Sequence, residues 1–183
     1  MYKKRIIIGI ALVLVLVLLC GIQLIYKNYQ FGQDLHNYVN DMYVQCVLLA
    51  DGIELLEEDF AKLGPEHSSF GSRTLFDNAL SSTQAAFGTL NMPILEDVRQ
   101  EYIDQFGTLY RELLNDPGDV KLIALFTDPE KAGELAVLKE RMHNMAECFR
   151  EFTKSFHQMS EWEQCFYSWE KERQILSEKV RMP

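Results

Sequence analysis

Three groups of side chains in this 183-residue chain are of types that carry chemistry: thiols, imidazoles and a run of carboxylates. The thiols are Cys20, Cys46, Cys148 and Cys165, and no two stand at the C-x-x-C spacing of a redox or zinc centre. Cys46 with Cys148, or Cys46 with Cys165, is the candidate disulfide. Three cysteines beyond Cys20 leave one unpaired, and the alternative is that they are apolar thiols inside a core. The imidazoles are His36, His67, His143 and His157. Glu140 and His143 form one E-x-x-H, which presents a carboxylate and an imidazole on one helix face. Di-iron sites in helical proteins need two such pairs plus two further carboxylates, so no metal and no cofactor are expected. Glu54, Glu57, Glu58 and Asp59 form an acidic patch that reads as a solvated face.

The chain has no G-x-S-x-G, Walker loop, G-x-G-x-x-G or H-E-x-x-H. No catalytic residue is assigned, and the expectation is that the protein is not an enzyme. The densest aromatic cluster is Trp162, Phe166, Tyr167 and Trp169. Aromatic side chains anchor protein interfaces, so these four are the candidate interaction surface. The competing reading has them packing the end of the domain nearest a membrane.

The elements that position these groups begin with an apolar run, Ile6 to Ile22, extended past Gln23 by Leu24 and Ile25. A helix of about 20 apolar residues crosses roughly 30 Å of hydrocarbon. Lys3, Lys4 and Arg5 precede the run and only Lys27 follows it closely, which predicts a cytoplasmic N-terminus (residues 1–5) and an anchor over 6–26. Tyr26 and Tyr29 fall where an interfacial aromatic belt is expected. A cleaved signal would need a small-residue pair after the core, and a lipidated Cys20 would need a small residue where Leu19 stands. Gly9 and Gly21 are twelve apart, so the anchor lacks a G-x-x-x-G dimerisation motif.

Of the 18 basic residues, four precede Asp34, the first acid; the remainder sets 14 bases against 27 acids and carries a net charge of −13. Such a domain is repelled by phosphate backbones, so nucleic acid is not an expected partner.

Residues 27–183 read as an acidic, extracytoplasmic, all-α domain. Leu35, Val39, Met42, Cys46, Leu49, Ile53, Leu56, Phe60 and Leu63 alternate at four and three, a heptad seam closed by Gly64-Pro65. Shorter series run through Phe76, Leu80, Thr83, Phe87 and Leu90, and through Leu95, Val98, Tyr102, Phe106, Leu109 and Leu113. Ser68, Ser69 and Ser72 are candidate N-caps between the first two series. Asn91-Met92-Pro93 and Asn115-Asp116-Pro117-Gly118 are turns. Val120–Phe126 is a short apolar piece, and Asp128-Pro129 starts a long last helix. Its series Leu135, Leu138, Met142, Met145, Phe149, Phe152, Phe156 and Met159 then slips phase to Trp162, with Ser160 and Glu163 at capping-box spacing.

The expected fold is therefore all-α: an N-terminal transmembrane helix followed by an up-and-down bundle of about four helices, near 30–63, 73–91, 94–114 and 129–178. The function this predicts is structural: a membrane-anchored adaptor or protein–protein interaction module at the cell envelope, binding an unidentified protein or itself. The alternative is a ligand-sensing bundle, which resembles the sensory domains of chemoreceptors and histidine kinases in layout alone. No second apolar run follows the domain, so sensing would need a separate transducer.

Overall fold

The computed structural model describes residues 2–64, 70–89, 107–113 and 120–181. Among the described residues all regular structure is helical. The first helix, α1 (Tyr2–Leu63), is 62 residues long without a break, because no proline precedes Pro65. It ends at Gly64, whose φ of 81° is the left-handed conformation that glycine adopts freely. The Gly64 amide donates to the Phe60 carbonyl at 3.1 Å and closes the last turn.

α1 changes its surroundings along its length. From Ile6 it carries an 18-residue window of mean hydropathy 3.0, none of it buried within the chain, and this helix is long and apolar enough to cross a membrane. Beyond Phe31, the four-three series Leu35, Val39, Met42, Cys46, Leu49, Ile53 and Leu56 is fully buried. Phe60 is half-buried and Leu63 exposed, so burial fades at the far end.

The second helix, α2 (Phe70–Thr89), runs antiparallel along α1. Gly52 lies directly under Phe76, where a Cβ would sit 3.2 Å from the Phe76 Cα, and the Thr83 hydroxyl donates to the carbonyls of Ala79 and Gln45. α2 starts ahead of the expected residue 73, so Ser72 lies inside the helix and is not its cap; Ser68 and Ser69 lie outside the described residues. Residues 107–113 are helical and bury Leu113. The rest of the expected third helix, with Asn91-Met92-Pro93 and the turn at 115–118, lies outside the described residues.

The short apolar piece is a two-turn helix, α3 (Val120–Thr127), with Leu122 and Leu125 buried. It presses Phe126 against Phe60 at 4.9 Å and Phe76 at 6.3 Å. The next helix, α4 (Pro129–Gln158), is capped by Asp128, whose carboxylate accepts from the Glu130 amide at 3.0 Å, with proline in the first turn. α4 returns antiparallel along α1: Lys139 pairs with Glu57, His143 with Glu54, and the Phe156 ring stacks on His36. Leu135, Leu138, Met142, Met145, Ala146, Phe149, Phe152 and Phe156 form its buried face.

Residues 129–178, where the phase slip at Ser160 leaves a bend, the favoured reading, or a continuous overwound helix as the alternatives, form three helices. α4 ends at Met159 in extended conformation, α5 (Glu161–Phe166) follows, and α6 (Trp169–Arg181) doubles back along α4. The direction of α6 is fixed by Leu176 and Val180, which are buried, and by Lys179, which reaches Glu151 at 3.6 Å. The physical reason for the first break is the phase slip: an unbroken α4 would carry Glu163 onto its apolar stripe. Instead Ser160 and Glu163 close a capping box that satisfies the new helix end.

Phe149→Ala removes a fully buried ring and is expected to cost about 3–5 kcal/mol. Val137→Ala, on the exposed side of the same helix, should change stability by no more than about 0.5 kcal/mol. Thermal unfolding of the full chain in detergent, followed by circular dichroism, measures both.

Candidate functional site

The polar side chains of α1 just beyond its apolar half gather the α5 turn. Asn28 donates from Nδ2 to the carbonyls of Cys165 and Tyr167, at 2.9 and 3.0 Å. These are carbonyls at the end of α5, which a helix terminus leaves without intrahelical partners. Five residues further along α1, Gln33 donates to the Gln164 side chain at 2.8 Å. Gln164 is buried and in turn donates to the Met159 carbonyl at 3.2 Å.

Trp169 locks this end. Its indole N–H donates to the Gln164 carbonyl at 2.8 Å, and its ring packs on Tyr167 at 4.6 Å, Phe156 at 5.3 Å and Phe152 at 6.5 Å. It lies flat on α1 at Gly32, where an added Cβ would overlap the indole. The Tyr167 hydroxyl donates to Glu172 at 2.8 Å, and burial together with that carboxylate raises the phenol to about 12. The Ser160 amide and hydroxyl hold the Glu163 carboxyl below its ordinary value.

The four aromatic residues singled out in the sequence thus divide. Trp169 is 1 % exposed and belongs to the core. Tyr167 is half-buried beside it. Trp162 and Phe166 are 73 % and 57 % exposed, edge to face at 4.9 Å, and border an open groove with Met159, Glu163 and Tyr167. A four-residue spacing on one helix puts two rings on one face, but it does not say which face is covered.

The thiols are free. Cys46 is fully buried, and burial pushes its thiol up, which keeps it protonated. Cys148 lines a small cleft between α4 and α6 with Ser155, Ile175 and Leu176. Cys165 is tied to Asn28, eighteen positions from Cys46 along α1, about 27 Å of helix against the roughly 7 Å between Cα atoms that a disulfide spans. The Cys46–Cys165 pairing is therefore corrected: this arrangement keeps the two sulfurs apart.

Three carboxylates of the acidic patch have side-chain partners. Glu54 faces His143 at 3.3 Å, Glu57 holds Lys139, and Glu58 holds Lys62 at 2.8 Å. His143 thus meets a carboxylate of α1, while Glu140 of its own E-x-x-H is exposed. Among the described residues no three His, Cys, Asp or Glu side chains converge as metal ligands. His67 lies outside the described residues. A cavity of about 310 Å³ opens between residues 108–112, α3 and α4, lined by Leu109, Leu125, Leu135 and Leu138 with Lys131 and Glu134 at its rim.

Sequence reasoning missed Asn28, Gly32 and Gln33, and named His36 without assigning it a place. Gly32 left a signal: inside a helix it costs about 1 kcal/mol against alanine, which is tolerated where another group must approach closely. His36 stacks on Phe156 at 4.2 Å and meets His157 edge-on at 4.8 Å. Its Nε2 is buried without a hydrogen-bond partner. Burial, then the neighbouring His157, lowers its pKa from 6.5.

Two outcomes follow from this geometry. Gly32→Ala forces the Trp169 indole off α1 and is expected to destabilise the chain by about 1–3 kcal/mol, while Trp162→Ala leaves the melting temperature unchanged. Because the folded state holds His36 below its unfolded pKa, its neutral form contributes in full above pH 6.5. As pH falls through that value the unfolded chain binds the proton more tightly and stability is lost. Melting curves between about pH 7.5 and 5.5 should show this decline, and His36→Gln should flatten it. Comparison of the chain with protein families, with curated proteins and with solved structures finds no match in any of the three.

Proposed function

We propose that the protein is a single-pass, membrane-anchored structural or adaptor module of the cell envelope, whose acidic helical domain binds a protein partner or a second copy of itself. In this reading α1 crosses the membrane over residues 6–26, with Lys3, Lys4 and Arg5 on the cytoplasmic side. The domain stands extracytoplasmic as an up-and-down bundle, with heptad packing in its long helices. The observation that carries the reading is the change of surroundings along α1: an apolar length on which none of the described residues packs continues as one helix into a fully buried stripe. A helix that exposes so much apolar surface in water is unstable against association, whereas in lipid the same surface is at rest.

A second reading, ligand sensing through a separate transducer, is favoured by the cavity of about 310 Å³ at the far end of the domain. That volume is at the lower limit for a small-molecule site. A fragment that raises the melting temperature of the wild-type chain, but not that of Leu138→Trp, supports this reading.

The orientation is tested by protease treatment of intact cells carrying a C-terminal epitope tag, with outer barriers removed. The tag should be digested while a cytoplasmic marker survives; a tag protected until the membrane is opened reverses the topology. The adaptor role is tested by cross-linking in membranes. A specific hetero-complex or homo-oligomer is expected, and an uncross-linked monomer across a range of reagents would remove it.

A further inference from the structure

We propose that the Trp162–Phe166 face of α5 is a second membrane contact, seated in the interfacial layer of the bilayer that α1 crosses. The inference rests on α1 spanning that membrane and adds where the folded domain meets it.

The first support is height. The apolar run of α1 ends at Ile25, and Asn28 holds the carbonyls of Cys165 and Tyr167 directly. Three residues of helix are about 4.5 Å, and the polar layer on each side of the hydrocarbon is about 5–7 Å deep. The C-terminal end of α5, next to Phe166, is therefore tied to α1 at the level of the headgroups, while Gln33, about 12 Å of helix beyond Ile25, holds Gln164 on the side turned to the domain. Tyr26, exposed on α1 and joined through its hydroxyl to the Gln30 side chain at 2.9 Å, marks the same level.

The second support is chemistry. Trp162 and Phe166 are large, adjacent and exposed, while Trp169, further along the turn, is buried and fixes their position. An indole favours the layer where its apolar body and polar N–H are both accommodated, and the adjacent phenyl ring adds apolar area for the acyl boundary beneath it. The flanking charges are Glu161 and Glu163, both acidic. That disfavours attraction by anionic headgroups and leaves ring insertion as the mode of contact, so a zwitterionic bilayer suffices. A protein partner for the same rings would need them clear of lipid, at a height where the anchor places lipid.

The test uses the full chain in phosphatidylcholine vesicles, with and without bromine on the acyl chains close to the headgroup. Flotation on a density gradient is read first, then tryptophan emission. The chain has two tryptophans, so the wild type is expected to lose roughly half its emission in brominated lipid, as an interfacial indole should. Trp162→Phe, which leaves only the buried Trp169, is expected to lose little, and phosphatidylglycerol should not change either result. If the chain floats but wild type and Trp162→Phe are quenched alike, the lipid contact is overturned and the face is open to a protein. If the chain does not float, the anchoring reading itself fails, and this inference with it.

Discussion

A helix of 62 residues has no interior of its own, so each stretch of α1 depends on what surrounds it. Over its first part none of the described residues covers the isoleucines, leucines and valines; over its second part α2, α4 and the short helices bury one stripe from Leu35 to Leu56. The remaining elements are arranged by that second demand. α2 and α4 both run antiparallel to α1, α3 fills the gap beside Phe60 and Phe76, and α6 covers the outer side of α4. The polar margin of the α1–α4 contact is sealed by Glu57 with Lys139 and Glu54 with His143. Partly exposed pairs of this kind contribute little energy, commonly under about 1 kcal/mol, so they fix register and the buried stripe supplies stability.

At the other end of the domain the same helix governs a turn that contains neither glycine nor proline. Its shape comes from partners. Ser160 and Glu163 cap α5, Asn28 takes two carbonyls at its end, and Trp169 is driven into the core at Gly32. Burying an indole removes some 150–250 Å² from water, worth about 4–6 kcal/mol at 25 cal/mol per Å². A helix-interior glycine costs about 1 kcal/mol. The exchange favours the glycine, and its consequence is that Trp162 and Phe166 are left outside.

Much of this was legible in the residues. The four-three series from Leu35 to Leu56 located the buried stripe because a helix turns once in 3.6 residues, and Gly64 marked the end of α1 because few other residues adopt its backbone conformation. Asp128-Pro129 and Ser160-Glu163 announced helix starts through capping chemistry, which is local. The reversal into α6 was not legible, since the contacts that turn the chain join residues about 140 positions apart in sequence, Asn28 to Tyr167 among them. For the same reason the cluster Trp162, Phe166, Tyr167 and Trp169 read as one surface although burial divides it. The acidic patch on α1 gave no hint of Lys139 and His143, which belong to another helix, and nothing in the cysteine spacing showed that Cys165 sits far along α1 from Cys46.

The continuity of α1 from its apolar length into the domain is the point on which the account stands, and a distance tests it directly. With Cys20, Cys46, Cys148 and Cys165 replaced by alanine, spin labels at Lys27→Cys and Lys62→Cys mark two exposed positions on α1. Pulsed electron spin resonance on the chain in vesicles should give one narrow distribution centred near about 52 Å, the length of 35 residues of unbroken helix. A broad distribution, or a population at much shorter distance, would mean that α1 bends between membrane and domain, and the alignment of α5 with the bilayer would no longer follow.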